Sequence, residues 1–317
     1  MPLISVIIPC YNEGSNIEHC CKEIREAVLP LKAEYDIDLE ILLVDDGSTD
    51  STAEKARELS ERDGRVKFLI FSRNFGKEAA IFAGLSHARG DYICIMDADL
   101  QDPPSMISAM FKKLKGENLD CVAARRLSRK GEPLIRSLFA RTFYWLISRI
   151  SDTKMQDGAR DFRIFTRKVA DAILSVTEYN RFSKGLFIWV GFRTEWVEYP
   201  YAERFSGITK WSFLKLLKYS FEGIIAYSTL PLAISSFAGM LFCFISIVMA
   251  IYYALKALIY GDPVTGFPTL ICIILLVGGL QLFCMGILGQ YLAKTYLEVK
   301  NRPKFIIAYT NIKDKIP

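Results

Sequence analysis

Apolar residues come in short continuous runs through the first part of the chain and in two very long runs near its end. Ile4–Pro9, Leu39–Val44, Val66–Phe71, Tyr92–Met96 and Cys121–Ala124 are apolar stretches of four to six residues, the length expected of strands buried on both faces. Helical patterns separate them. Ser15–Val28 is one, Ser51–Arg62 with Ser48 or Asp50 as its cap is another, and Lys77–His87 is a third. Pro103 and Pro104 open a fourth that runs to about Lys115, since proline is tolerated in a first helical turn. Strands alternating with helices predict an α/β fold whose mostly parallel sheet is covered on both faces. Ligands on such sheets bind beyond the carboxyl ends of the strands.

The two long runs are of another kind. No Asp, Glu, Lys or Arg occurs from Gly223 to Leu255, nor from Pro263 to Ala293. A bilayer core of about 30 Å needs roughly 20 apolar residues of helix, and spans at about 230–255 and 267–292 meet that need. A buried soluble hairpin would show a polar stripe at helical spacing, and neither run has one. The flanks are basic: Lys210, Lys215 and Lys218 before the first span, Lys294, Lys300, Arg302 and Lys304 after the second. The positive-inside bias then puts both termini in the cytoplasm and the short turn Lys256–Gly266 outside, as in a multi-pass inner-membrane protein. The N-terminus lacks a basic leader, so no signal peptide is expected. The expected organisation is a catalytic-type soluble domain over 1–211, an interfacial amphipathic helix over 212–228, the hairpin over 229–293 and a cytoplasmic tail over 294–317.

Composition agrees with this division. Half of the 317 residues are hydrophobic (51%) and 24% are charged. That is too charged for a wholly embedded protein and more apolar than most soluble domains. Eight cysteines form no Cys-x-x-Cys pair, and only His19 and His87 could complete a metal set. Reduced thiols, cytosolic or lipid-buried, are the expectation.

The candidate chemistry sits at the strand ends and is acidic. The first strand runs into Cys10-Tyr11-Asn12-Glu13, the second into Asp45-Asp46-Gly47-Ser48, the fourth into Asp97-Ala98-Asp99. No Gly-x-Gly-x-x-Gly or P-loop pattern is present, so phosphates are not cradled by a glycine-rich helix start. In an extended segment residues two apart point the same way, so the Asp97 and Asp99 carboxylates converge. Such a pair suits Mg²⁺ or Mn²⁺, with water and diphosphate oxygens completing the shell. A solvated turn is the alternative for Asp97 and Asp99. For Asp45 and Asp46 the alternatives are a turn cap and a hydrogen bond to a base edge or ribose, the latter favoured for at least one.

Together, Ile8-Pro9-Cys10-Tyr11-Asn12-Glu13, Val44-Asp45-Asp46-Gly47-Ser48-Thr49-Asp50 and Asp97-Ala98-Asp99-Leu100-Gln101-Asp102-Pro103-Pro104 resemble family 2 glycosyltransferases of the GT-A fold. The run Asp157-Gly158-Ala159-Arg160-Asp161-Phe162-Arg163 and the terminal hairpin narrow the resemblance to the polyprenyl-phosphate (bactoprenol or dolichol phosphate) glycosyltransferases, over essentially the whole chain. It implies a Rossmann-like catalytic domain with two C-terminal transmembrane helices. The donor, a UDP-sugar or GDP-sugar, would meet Pro9, Tyr11, Glu13, Asp45, Asp46, Lys77, Asp97, Ala98, Asp99 and Gln101. Asp97 and Asp99 would hold Mg²⁺ or Mn²⁺. Asp157 and Asp161 match the family's catalytic acidic positions, and Arg125 and Arg136 its acceptor-phosphate contacts. Arg204 and Lys210 lie in a segment resembling the family's mobile Arg-x-x-Gly-x-Ser-Lys loop, with Thr209 in place of the serine.

The acceptor end reads the same way physically. Cys121–Arg149 holds seven basic residues against one acid, Glu132, interleaved with Phe139, Phe143, Tyr144 and Trp145. A basic, aromatic surface beside membrane spans suits anionic headgroups; a nucleic-acid surface and a solvated helix face are the alternatives. Ser212–Tyr227 reads as a second interfacial helix. The expected reaction is transfer of one sugar, glucose from UDP-glucose as the family-weighted choice, to undecaprenyl phosphate with inversion. A phosphate monoester has its second pKa near ~6, so Asp161 or Asp157 has little proton to abstract and positioning is a live alternative. Two other functions remain open. A processive polysaccharide synthase would carry Gln-x-x-Arg-Trp, which is absent. A non-catalytic nucleotide-sugar-binding anchor would have no need of the intact Asp97/Asp99 pair. Gly278, Gly279, Gly286 and Gly289 permit close packing, either between copies as a homo-oligomer or within the hairpin.

Overall fold

In a computed structural model, residues 1–126, 159–179, 181–199, 230–260 and 266–312 are described. In chain order the elements are β1 (Leu3–Cys10), α1 (Ile17–Tyr35), β2 (Asp38–Asp45), α2 (Thr52–Arg62), β3 (Val66–Phe71), α3 (Lys77–His87), β4 (Tyr92–Ile95), α4 (Met106–Gly116) and β5 (Cys121–Arg126). The chain continues with β6 (Ala159–Thr166), α5 (Arg167–Ser175), α6 (Ser183–Trp189), β7 (Thr194–Tyr199), α7 (Leu230–Tyr260), α8 (Phe267–Lys300) and β8 (Ile307–Thr310).

The eight strands form one sheet in the order β7-β5-β6-β4-β1-β2-β3-β8. Its centre is parallel, as the apolar runs predict: β1 pairs in parallel with β2 and β4, and β2 with β3. Side chains alternate across the sheet. Ile4, Val6 and Ile8 face α1, α2 and α4, packing with Cys20, Ile24, Met110 and Phe111. Ile7, Leu42 and Val44 face α3 and α5, with Ala80, Ala83 and Val169. This two-sided burial explains the unbroken apolar strands.

Three features depart from the sequence expectation. First, α1 does not stop before Pro30 but continues through it to Tyr35. Leu31 is fully buried and the Tyr35 ring meets Phe111 edge-on at 5.4 Å, so packing outweighs the hydrogen bond that proline cannot make. Second, β6 lies antiparallel between β4 and β5. Its polar residues conceal a strand: Phe162 and Ile164 enter one core, Phe165 the other, while the buried Arg163 guanidinium stacks 4.0 Å over Phe187. Third, the segment after α8, read as a tail, supplies the antiparallel edge strand beside β3. Phe305 stacks on Phe71 at 5.2 Å, and Asn311 accepts from the Phe68 amide at 2.9 Å.

The two long helices are apolar and long enough to cross a membrane, over Pro231–Met249 and Leu276–Lys300. Their large side chains are bare: Phe237 is 68% exposed and Leu282 71%. Soluble proteins rarely leave apolar surface of that extent in water. The described cysteines are free, and five of them, Cys10, Cys20, Cys21, Cys94 and Cys121, are buried in the soluble part. Burial pushes the Cys21 thiol up to about 12, as desolvation of a thiolate requires.

Candidate active site

The acidic strand ends meet at one rim of the sheet because β1, β2 and β4 run parallel and stop together. The loops after β1 and β2 are sewn to each other. The Asn12 amide donates to Ser48 Oγ at 2.8 Å, Thr49 N–H donates to Asn12 Oδ1 at 2.9 Å, and Glu13 N–H donates to Thr52 Oγ1 at 2.9 Å. Asn12 takes a left-handed φ of 57°, which asparagine tolerates well. Pro9 is half-buried at the end of β1, and Tyr11 stands out at the rim, 45% exposed.

Asp45 and Asp46 are both buried but play different parts. Asp46 Oδ1 accepts from the Phe75 amide at 2.6 Å, and Oδ2 from the Gly76 amide at 2.9 Å. It braces the loop between β3 and α3. Gly47, at φ 67°, lets that loop come close: a Cβ there would lie 2.4 Å from the Arg73 carbonyl carbon, which no other residue could accept. Asp45 Oδ1 accepts from the Ser48 amide and hydroxyl, while its Oδ2 is buried without a hydrogen-bond partner in the structure. Burial raises the pKa of both carboxyls. Asp45, more than Asp46, thus retains an acceptor for a ligand.

After β4, Ala98 turns its methyl into the core at 2% exposure, leaving Asp97 and Asp99 on the open side. The extended geometry expected of this segment gives way to a turn at Ala98 and Asp99. Asp99 Oδ1 accepts from the Gln101 amide at 3.1 Å. Asp161 arrives from the neighbouring strand. Ile95 pairs antiparallel with Arg163, so carrying the register two residues further brings Asp161 opposite Asp97. Lys77, the first residue of α3, joins them: its Nζ lies 2.6 Å from Asp97 Oδ1 and 2.6 Å from Asp161 Oδ2. Burial would lower the Lys77 ammonium, but Asp97 and Asp161 outweigh it and its pKa rises. Burial would likewise raise Asp161, but Lys77, then Lys184 and Arg163, hold its carboxyl well below the usual carboxylate range.

A second cluster supports this rim. Asp102, 2% exposed, accepts from the Tyr199 hydroxyl and pairs with Arg160 Nε at 3.5 Å. Arg160 Nη2 donates to Gln101 Oε1 at 3.0 Å. Asp102, Arg160 and Tyr199 thereby tie the Asp97 loop to β6 and β7. Arg160 and Arg163 flank Asp161 in the chain, and pairing with one of them is the local alternative to a role in the site. Instead Arg160 turns to Asp102 and Gln101, and Arg163 Nε meets only the backbone carbonyl of Asp161, at 3.3 Å. The signal for Asp102 was its place in the acidic run after β4; nothing local marked Tyr199.

Arg125 lies on β5, paired in register with Ala159, two residues from Asp161, and its Nη1 is 4.0 Å from Glu198. Asp157, Arg136, Arg204 and Lys210 fall outside the described residues, as do most of the basic segment and the 212–228 helix.

The donor set suits a hard divalent cation. Asp97 and Asp99 offer carboxylate oxygens only, and Asp97 already holds a cationic group, the Lys77 ammonium. Among the described residues no group of three or more His, Cys, Asp or Glu gathers to hold a metal alone. A magnesium-type ion needs no such cage when substrate phosphates complete its shell.

Residues 5–174 match glycosyl transferase family 2. A putative glycosyltransferase of Bacillus subtilis, CsbB, is 40% identical over 313 residues, 99% of this chain and 93% of that protein. An SfII prophage-derived bactoprenol glucosyl transferase of Shigella flexneri is 39% identical, over 96% of this chain and 97% of that one. A prophage bactoprenol glucosyl transferase homolog of Escherichia coli K12 is 38% identical, over 96% and 98%. The chain belongs to glycosyl transferase family 2. It is a glycosyltransferase whose α/β domain carries two C-terminal helices fit to cross a membrane.

Proposed function

We propose that this enzyme transfers one hexose, glucose from UDP-glucose, to undecaprenyl phosphate at the cytoplasmic face of the inner membrane. The observation that carries the reading is the meeting of Asp97 and Asp161 on Lys77: one donor-side carboxylate and the acidic residue of β6 address one point. The bactoprenol glucosyl transferases similar to it over nearly its full length support the acceptor and the hexose. The bare apolar helices support a lipid substrate.

Tyr11 offers its exposed ring to the base of the donor, with Asp45 behind it at the end of the neighbouring strand. Asp97 and Asp99 would hold Mg²⁺ or Mn²⁺, which when bound stabilises the charge of the departing diphosphate. The acceptor phosphate approaches from the side of Arg125, with Arg136, Arg204 and Lys210 as further contacts; guanidinium forks suit phosphate. Its oxygen attacks the anomeric carbon opposite the diphosphate, inverting configuration. That oxygen is already largely deprotonated near neutral pH, given a second pKa of about 6. Asp161, held ionised by Lys77, orients sugar or acceptor and Asp157 stands nearby in sequence for the same work.

Membranes containing the protein, incubated with labelled UDP-glucose and undecaprenyl phosphate, should yield a single sugar on extractable lipid. Polymer would identify a processive synthase, and absence of product across a panel of nucleotide sugars a binding anchor. Asp97→Asn should lower the yield by about a hundred-fold or more, the scale for losing an electrostatic contact to developing charge.

A further inference from the structure

Lys77 stands where two demands conflict. Metal binding by Asp97 and Asp99 requires Asp97 to face a dication, yet its Oδ1 holds an ammonium at 2.6 Å. Like charges sharing one carboxylate oxygen repel strongly in a partly buried site. The backbone under Lys77 is fixed, because Asp46 grips the Phe75 and Gly76 amides just before it. The side chain is not confined in the same way: it is 43% exposed, and its four-carbon stem can swing. A second anion, Asp161, lies within the same reach at 2.6 Å. The neighbouring arginines are otherwise engaged, Arg160 with Asp102 and Gln101, Arg163 with Phe187 and backbone carbonyls.

We infer that Lys77 is an internal counter-ion that occupies Asp97 in the donor-free enzyme and gives it up when metal and diphosphate enter, a role that rests on the proposed metal site at Asp97 and Asp99. Its ammonium then stays with Asp161 and the incoming phosphates. The exchange leaves the net charge of the site unchanged, the dication being matched by the two charges of the diphosphate, and makes metal retention depend on the donor. A lysine with a purely structural part would behave otherwise. Removing it would leave metal affinity unchanged, or weaken it by loosening the two carboxylates.

Mn²⁺ binding to the full-length protein in detergent, followed by the paramagnetic resonance of free Mn²⁺ without nucleotide, separates the two. Lys77→Met should bind Mn²⁺ at least about ten-fold more tightly than the wild type, since a unit charge beside the ion is removed. Lys77→Gln should do the same, and Lys77→Arg should stay near the wild type. Adding Asp97→Asn to Lys77→Met should abolish the gain. Equal or weaker binding by both neutral variants, with the wild type binding Mn²⁺ in the presence of UDP, overturns the counter-ion alone. No Mn²⁺ binding by any protein even with UDP overturns the metal site and the counter-ion together.

Discussion

Asp161 shows how one neighbour sets the chemistry of a side chain. Its carboxyl is half-buried against Lys77, and that contact holds it ionised far below the usual carboxylate range. A group whose pKa is depressed carries its charge at every pH above the ordinary carboxylate value, so it cannot titrate between pH 5 and 8. Any acid limb of the rate profile in that window therefore belongs to another group, such as the acceptor phosphate. Asp161→Asn should lower kcat by about a hundred-fold, the scale of lost positioning, yet leave the limb in place. A pH–rate profile of both enzymes checks this, and disappearance of the limb would restore Asp161 as the base. At this scale the sequence was informative where geometry is local. Asp97 and Asp99 were marked by their place directly after a buried strand, although the chain turns at Ala98 and Asp99 rather than staying extended. The division of labour between Asp45 and Asp46 was hidden, because the amides that claim Asp46 belong to Phe75 and Gly76, 29 and 30 residues further on.

Strands and helices were legible wherever one element could be recognised by its own pattern. The four parallel strands and the helices between them stand out from apolar runs and turn residues. β6 was not, because its fitness as a strand depends on partners: Phe187 for Arg163, Lys77 for Asp161 and Asp102 for Arg160. β8 was hidden for the same reason, since Ile307–Thr310 is mostly exposed and becomes a strand through β3. Phe305 is the anchor of that pairing. Its ring stacks on Phe71 and meets Phe82 at 6.2 Å, and the adjoining Lys304 ammonium lies 4.3 Å over Phe82. Phe305→Ala should destabilise the soluble domain by about 2 kcal/mol, below the range for a fully buried phenylalanine because the ring is partly covered. Chemical denaturation followed by far-UV circular dichroism in detergent measures it. An unchanged midpoint would mean that β8 adds nothing to the domain.

The whole molecule is constrained by its sheet. β1 and β8 lie in one sheet although two long apolar helices separate β7 from β8 in the chain. If both helices cross the bilayer, the chain must leave and re-enter the same side, since a sheet cannot be shared across a membrane. The basic flanks of the hairpin favour the cytoplasm for that side. A cysteine introduced by Asp262→Cys, between the two helices in the chain, should then react with a membrane-impermeant maleimide added to intact cells. The five buried thiols of the soluble domain give no background, and the parent protein, with Cys243, Cys272 and Cys284 in its long helices, is the control. Labelling only after lysis would reverse the orientation.

The edge strand has a consequence for the order in which the protein is made. Residues Ile307–Thr310 come after α7 and α8 in the chain, so the ribosome has already delivered both apolar helices before β8 exists. Until then β3 presents an open edge, the kind of surface that invites pairing with a stranger. The sheet of the catalytic domain therefore closes last, after both apolar helices have been made. A chain cut before Pro303 would keep both apolar helices and lack the strand that finishes its sheet.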